Sequence, residues 1–244
     1  MKKEICFIIF MLFMFCGVKA QGIRVIYLEQ MKPSIQMDNP EMAEAMASQF
    51  SNMKKSMCLY YNKGVSIYKR LETKVENKLT PEQSNSGMKI AMMGGDVCVY
   101  KNQNDKEIVS QEYILDKKFV ITDSLKAFDW ILSDEVKVIN NYKCKKAVTK
   151  EGTTTAWYCL DIPINEGPYI FWGLPGLIIQ IEHFNMTVIA QEVNQTDEAD
   201  NKIKKPIDGK KINREDFDKT MQKKMEEMGA PSQGVNVKID VIKM

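Results

Sequence analysis

The amino-acid sequence predicts a mainly β (α+β) chain: a single curved antiparallel sheet or half-barrel, with a Met-rich helix and a later amphipathic helix packed on it. Three observations carry this expectation. Segments rich in Val, Ile and Tyr with partial alternation recur along the chain. Short turn-forming spacers separate several of them, and short spacers make hairpins that join into a meander. No long helical pattern alternates with these segments, as a parallel α/β sheet requires.

Taken in order, residues 1–20 read as a signal peptide. Lys2 and Lys3 precede an apolar run from Ile5 to Cys16, and Val18-Lys19-Ala20 forms an A-x-A-like cleavage site. Phe15 stands directly before Cys16, where lipoprotein processing wants a small residue, so cleavage after Ala20 is expected. Residues 21–244 then form one β-rich domain, with no internal repeat and no second boundary. No later stretch approaches the roughly 18 apolar residues of a membrane span, so no transmembrane anchor is expected in the mature chain. Export by the signal peptide places it in the periplasm or cell envelope, or outside the cell.

The strands expected are 23–29 (IRVIYLE), 58–62 (CLYYN), 65–70 (VSIYKR), 97–101 (VCVYK), 118–123 (KFVITD) and 177–184 (LIIQIEHF). Asn62-Lys63-Gly64, Asn102 to Asp105 and Glu151-Gly152 supply turns. A helix is expected over about 39–57, where Asn39 can cap and Pro40 can occupy the first helical position. Met42, Met46, Phe50, Met53 and Met57 recur there at the spacing of one helical face. A second helix, about 213–228, starts at an Asn213 cap with Asp216 three residues on. Phe217, Met221, Met225 and Met228 form its apolar stripe, and Ile212 can staple to Phe217. The lysine-rich stretch 201–211 reads as a solvated linker.

Charge and chemistry narrow the function classes. Beyond residue 20 basic and acidic side chains are equal in number, which gives no electrostatic reason for a nucleic-acid partner. His183 is the only histidine, so a histidine cluster for zinc cannot be assembled. No nucleophile elbow, zinc-protease helix, P-loop or dinucleotide fingerprint occurs. Gly94-Gly95-Asp96 resembles a tight turn, with no helix start after it. No catalytic residue and no cofactor is therefore assigned, and a non-catalytic protein is expected. Methionine is the compositional excess, with seventeen in the sequence. Met42, Met46, Met53 and Met57 could serve as thioether ligands for Cu(I), as an apolar binding face, or as core filler.

Four cysteines lie beyond residue 20. With Glu151-Gly152 as a two-residue turn, Ala147 opposes Ala156 and Cys144 opposes Cys159, so a disulfide between Cys144 and Cys159 is expected in an oxidising compartment. Cys58 and Cys98 are left to pair with each other or to stay as buried thiols. Asp123-Ser124-Leu125 resembles a short acceptor pattern for O-linked glycans, which makes Ser124 a candidate modification site.

The stretch from Tyr142 to Glu182 resembles the signature of the GLPGLI family, exported proteins of Gram-negative Bacteroidetes. The resemblance rests on Gly173-Leu174-Pro175-Gly176-Leu177-Ile178, on Ile162-Pro163-Ile164 and Gly167-Pro168 before it, and on Ala156-Trp157. A looser likeness covers residues 59–69. The resemblance implies export to the envelope and a β-rich fold, and it brings no activity and no catalytic residues. From the residues themselves, Leu174-Pro175-Gly176-Leu177 suits a type II turn, with φ > 0 at Gly176. Together with Phe171, Trp172, Gly173 and Ile178, that apolar turn is either a plug closing the curved sheet or the lip of an apolar ligand cavity. The function expected is an exported, non-catalytic envelope protein that binds an apolar small molecule or a partner protein. A Cu(I)-handling protein and an enzyme of unrecognised type are the alternatives.

Overall fold

In a computed structural model, the described residues are 22–31, 54–71 and 97–227, with Pro40, Glu41, Glu44, Ser48 and Ser51. Among them, twelve strands form one sheet. In chain order they are β1 (Gly22–Met31), β2 (Lys54–Asn62), β3 (Val65–Arg70), β4 (Cys98–Asn102), β5 (Glu107–Ile114), β6 (Lys117–Ser124), β7 (Trp130–Ile139), β8 (Tyr142–Thr149), β9 (Thr154–Cys159), β10 (Leu177–His183), β11 (Met186–Thr196) and β12 (Lys210–Ile212). Helix α1 (Ala199–Lys202) lies before β12, and α2 (Arg214–Glu227) follows it.

The strand order, β12-β6-β5-β4-β3-β2-β1-β11-β10-β9-β8-β7, has a simple logic. Two meanders, β1 to β6 and β7 to β11, are zipped together by antiparallel pairing of β1 with β11. Each step within a meander is a hairpin or a longer antiparallel return. The sheet is therefore open and curved, with β12 and β7 as its two margins among the described residues, and the consecutive strands β6 and β7 do not pair.

Alternation buries one face of each central strand. Val25 and Tyr27 of β1, Met57 and Leu59 of β2, Tyr68 of β3 and Val99 of β4 meet Leu177, Ile179 and Val188 in the main apolar cluster. Tight turns carry the positive φ that two-residue hairpin loops need, at Lys63 and Gly64 and at Asn140 and Asn141.

Helix α2 follows the sequence reading. The Asn213 side chain accepts from the Asp216 backbone N–H at 2.8 Å and donates to the Asp216 carboxylate at 2.8 Å. Phe217, with Ile212 and Met221 beside it, packs on Ile114, Phe119 and Ile121. Arg214 fastens the helix to the sheet by donating to Glu112 at 2.6 Å and to Ser110 at 3.0 Å.

Elsewhere the structure corrects the sequence reading. The helix expected over 39–57 is helical at Pro40, Glu41, Glu44, Ser48 and Ser51, but β2 begins at Lys54. Met57 is thus a strand residue, paired with Tyr27 and Arg70 and buried. Ladder pairing on both sides overrides its helical spacing. Met42, Met46, Phe50 and Met53 lie outside the described residues. The expected linker 201–211 contains the end of α1 and most of β12, and β12 pairs parallel with β6 because a short apolar tip, Ile212, reaches the cluster under α2. Of the two outcomes left open for Cys58 and Cys98, pairing or remaining as thiols, the structure has the thiols. They sit on β2 and β4 with β3 between them, about two strand spacings, or roughly 10 Å, apart.

Candidate functional site

Residues 160–176 leave β9 and return into β10, and the Gly173–Ile178 motif spans their junction with β10. The segment is wound on itself by backbone bonds. Ile178 N–H donates to Glu166 O at 2.9 Å, Leu177 N–H to Ile162 O at 2.9 Å, and Gly173 N–H to Asn165 O at 3.1 Å. Its apolar side chains turn inward. Phe171, Leu174, Leu177 and Ile178 are buried, Trp172 is half-buried, and Pro175 is exposed. Phe171 stacks in a group with Phe128 and Trp130, at 5.3 and 6.4 Å between ring centres, and meets His183 edge-on at 5.5 Å. Two indoles clip the outer side: Trp130 Nε1 donates to Trp172 O at 2.9 Å, and Trp172 Nε1 donates to Lys126 O at 2.8 Å.

A buried ion pair sits under this segment. Lys101, on the inward face of β4, and Glu166 are both wholly buried and form a salt bridge. The Lys101 ammonium also donates to Gly167 O at 2.9 Å and to Phe171 O at 3.1 Å. Glu166 accepts from the Gly167 N–H at 2.9 Å and from Gln103 Nε2 at 3.0 Å. Burial pushes the Lys101 ammonium below its usual range, and the Glu166 charge opposes that push. Every donor and acceptor here is used to hold the segment, so the pair is an anchor.

A second polar group lies beside it. Glu29 of β1 is buried and accepts from Tyr68 Oη at 2.8 Å. Burial raises its carboxyl above the usual carboxylate range, against the hydrogen bonds from Tyr169 and Tyr68. Tyr169 stacks on Tyr68 at 4.8 Å and adopts φ 51°. Tyr27 Oη donates to Ile178 O at 2.7 Å.

The motif's glycines do not play the parts their sequence suggests. A type II turn would put φ > 0 on Gly176; instead the left-handed residue is Gly173, at φ 92°. Gly176 is needed for room. A Cβ there would lie 2.1 Å from Cys159 O. The chain is pressed against the end of β9, and only a residue without a side chain fits.

His183 is a strand residue whose Nδ1 lies 2.6 Å from Thr154 Oγ1. Cys144 and Cys159 are directly opposed in the β8–β9 ladder, as are Ala147 and Ala156. Yet the expected disulfide is not formed: all four described cysteines are free thiols. Cys144 Sγ turns along its own strand toward Tyr142 O, 3.4 Å away, which takes it off the path to its neighbour. Burial, with the neighbouring Cys159, pushes the Cys144 thiol up to about 12. Among the described residues, no group of three His, Cys, Asp or Glu side chains could hold a metal ion. Ser124 is exposed at the end of β6.

The sequence reading missed β5, β7 and β11, and among the described residues β7 ends the strand order. Four of its apolar side chains face water: Ile131 is 59 % exposed, Leu132 56 %, Val136 47 % and Val138 69 %. An apolar strand with an unpaired edge is a template for another strand. A bulge between Leu132 and Val136 interrupts its pairing with β8.

The comparisons with known proteins bear on the motif segment and on the sheet. A family model described as "Protein of unknown function (Porph_ging)" matches residues 145–180, which run from β8 through the motif segment into β10. No curated protein matches. Two crystal forms of PNGF-II match in structure, each at 16 % identity over 84 % of this chain, with TM-scores of 0.52 and 0.50. The match covers 34 % and 33 % of those chains, so this chain spans about a third of their length. At that identity the likeness is one of fold. The chain is thus similar, through its motif hairpin, to a family of unknown function, and in its sheet to part of PNGF-II.

Proposed function

We propose that this protein is exported to the cell envelope, has no catalytic role, and binds a partner protein along the free edge of β7. The observation that carries the reading is the set of exposed apolar side chains at Ile131, Leu132, Val136 and Val138 on a strand whose outer edge has no partner among the described residues. Asp134, Glu135, Lys137 and the bulge guard part of this edge, and the four apolar side chains stay exposed beside them. The burial of Phe171, Leu174 and Leu177 supports the partner over the apolar small molecule, because these side chains pack the sheet and do not rim an opening. The buried Met57 supports core filling over Cu(I) ligation at that position. The resemblance to the GLPGLI family and the leading apolar run support export.

Native mass spectrometry of the protein drawn from its own periplasm tests the reading. A protein adduct is expected, and it should be lost when Val136 and Val138 are both replaced by Lys. A lipid or copper adduct, or the bare chain alone, would overturn it.

Two modifications belong to the same proposal. In an oxidising compartment, the opposed thiols of Cys144 and Cys159 should close into a cross-strand bridge after a rotation of Cys144 about its Cα–Cβ bond. Non-reducing peptide mapping should recover the two cysteines linked; alkylatable thiols at both would show that the bridge does not form. The exposure of Ser124 fits a glycan, so the intact mass of native material should exceed that of the peptide and return to it in Ser124→Ala.

A further inference from the structure

The two halves of β7 are not equivalent. A bulge between Leu132 and Val136 interrupts the ladder with β8, and beyond it the pairing is continuous: Val136 with Lys145, Lys137 with Cys144, Val138 with Lys143 and Ile139 with Tyr142. The first half is already engaged at Trp130, whose indole donates to Trp172 O and packs beside Phe128 and Phe171. A strand added at the edge needs an unkinked run of backbone, and residues 136–139 supply it.

The register also fixes which way the side chains of that run point. Val136 and Val138 oppose Lys145 and Lys143, which alternate with Ala147 along β8, so both valines share the face of Ala147 and the motif segment. Lys137 opposes buried Cys144 on the other face, and its ammonium lies 5.0 Å over the Trp157 ring. The indole holds the lysine stem against the sheet while the side chain stays exposed to water.

The charges around this run are not balanced. Glu135 accepts from Lys146 at 2.8 Å, and Asp134 lies 4.0 Å from Lys145. Among the described residues Lys137 and Lys143 are in no ion pair. The edge therefore presents an apolar, a basic and an apolar side chain in the order Val136, Lys137, Val138, with Lys143 beside them.

A lysine on a sheet edge deters added strands in general. It becomes a selector when the incoming strand carries the opposite charge at the facing position. Directly opposed side chains of an antiparallel ladder share a face. A segment that reads apolar, acidic, apolar thus sets its apolar side chains against the two valines and its carboxylate against Lys137. A basic residue at the same place would meet Lys137 with like charge.

We propose that the partner of β7 is an extended acidic segment, alternating apolar and carboxylate side chains, which adds antiparallel to residues 136–139 with a carboxylate facing Lys137. This rests on the reading of β7 as the binding edge and names what that edge selects. The two valines supply contact area, and the lysine sets the sign of the charge accepted.

Two fluorescent peptides test it on the mature chain from Gln21: Thr-Thr-Val-Glu-Val-Thr-Thr, and the same peptide with lysine in place of glutamate. The acidic peptide should bind saturably and about fivefold more tightly than the basic one, as expected when attraction replaces repulsion at one cross-strand pair. Salt at about 1 M should shrink that preference, because exposed charges are then screened within about 3 Å. Lys137→Glu should invert the order, and Val136→Asn with Val138→Asn should weaken both peptides. Should Lys137→Glu fail to fold, the parent chain decides alone, and a preference that high salt leaves unchanged would overturn the proposal. So would equal binding of the two peptides, binding of neither, or an order that Lys137→Glu leaves as it was. A dimer of the chain by itself that is lost in the Val136 and Val138 variant would put a second copy on the edge and overturn it too. If the peptides fail to discriminate while a native protein adduct is still lost on Val136→Lys with Val138→Lys, the acidic strand falls and the partner reading stands. Charge-selective peptide binding with no native protein adduct would give the reverse.

Discussion

Replacing Lys101 with Met should destabilise the protein by about 3–5 kcal/mol, the range seen when one member of a buried ion pair is removed. For a chain of this size that corresponds to a fall in Tm on the order of 10 °C, readable by calorimetry or a thermal scan. The reason is the partner left behind. Glu166 would be left buried with no cation beside it, and the carbonyls of Gly167 and Phe171 would lose their donor. Lys101→Met combined with Glu166→Gln should recover part of the loss, because the buried charge is then removed as well. A double variant no more stable than Lys101→Met alone would mean that packing, and not charge, sets the cost. A single variant as stable as the parent would show that Lys101 does not anchor the motif segment.

Gly176→Val should be at least as severe, above about 4 kcal/mol, the range reached only by the most disruptive single changes. The cause is a backbone obstacle. The added Cβ would lie 2.1 Å from Cys159 O and 3.1 Å from Leu160 N, and neither can swing away as a side chain tip could. Either the end of β9 must move or the motif segment must lift off the sheet, which would expose Phe171 and Leu174. Gly176→Ala should therefore be nearly as damaging as Gly176→Val. Gly152→Ala makes the control. Gly152 has φ 72° but nothing within 4 Å of its Cβ position, so its cost should stay near the 1 kcal/mol of a left-handed residue. A denaturation series in which Gly176→Ala is as mild as Gly152→Ala would contradict the close approach.

Much of the sheet was legible because alternation and turn chemistry are local. The segments 23–29, 58–62, 65–70 and 118–123 fall within strands, 177–184 overruns β10 by one residue, and the opposition of Cys144 with Cys159 followed from the turn at Glu151-Gly152. The start of α2 was equally plain, since a cap and a staple are made by neighbours in sequence. The site was less legible. Lys101 did leave a trace: it shares the inward phase of its strand with Val99, an odd place for a lysine. Nothing local marks Glu166 as its partner, because the two lie on separate meanders and meet only when the motif segment folds down over β4.

The sequence by itself determined the β-rich class, the register of the hairpin that opposes Cys144 and Cys159, the cap of α2 and the location of the motif, because each depends on local side chains. The tertiary structure alone decided the rest. Met57 satisfies helical spacing and strand alternation alike, and only ladders with β1 and β3 on either side settled which one operates. Gly176 is required by the carbonyl of Cys159, seventeen residues earlier, and not by its own φ. The exposure of β7 follows from its place at the end of the strand order, and that place depends on which strands β1 and β11 choose as partners. Pairing between distant strands is set by the balance of burial over the whole sheet, a quantity no local window of sequence contains.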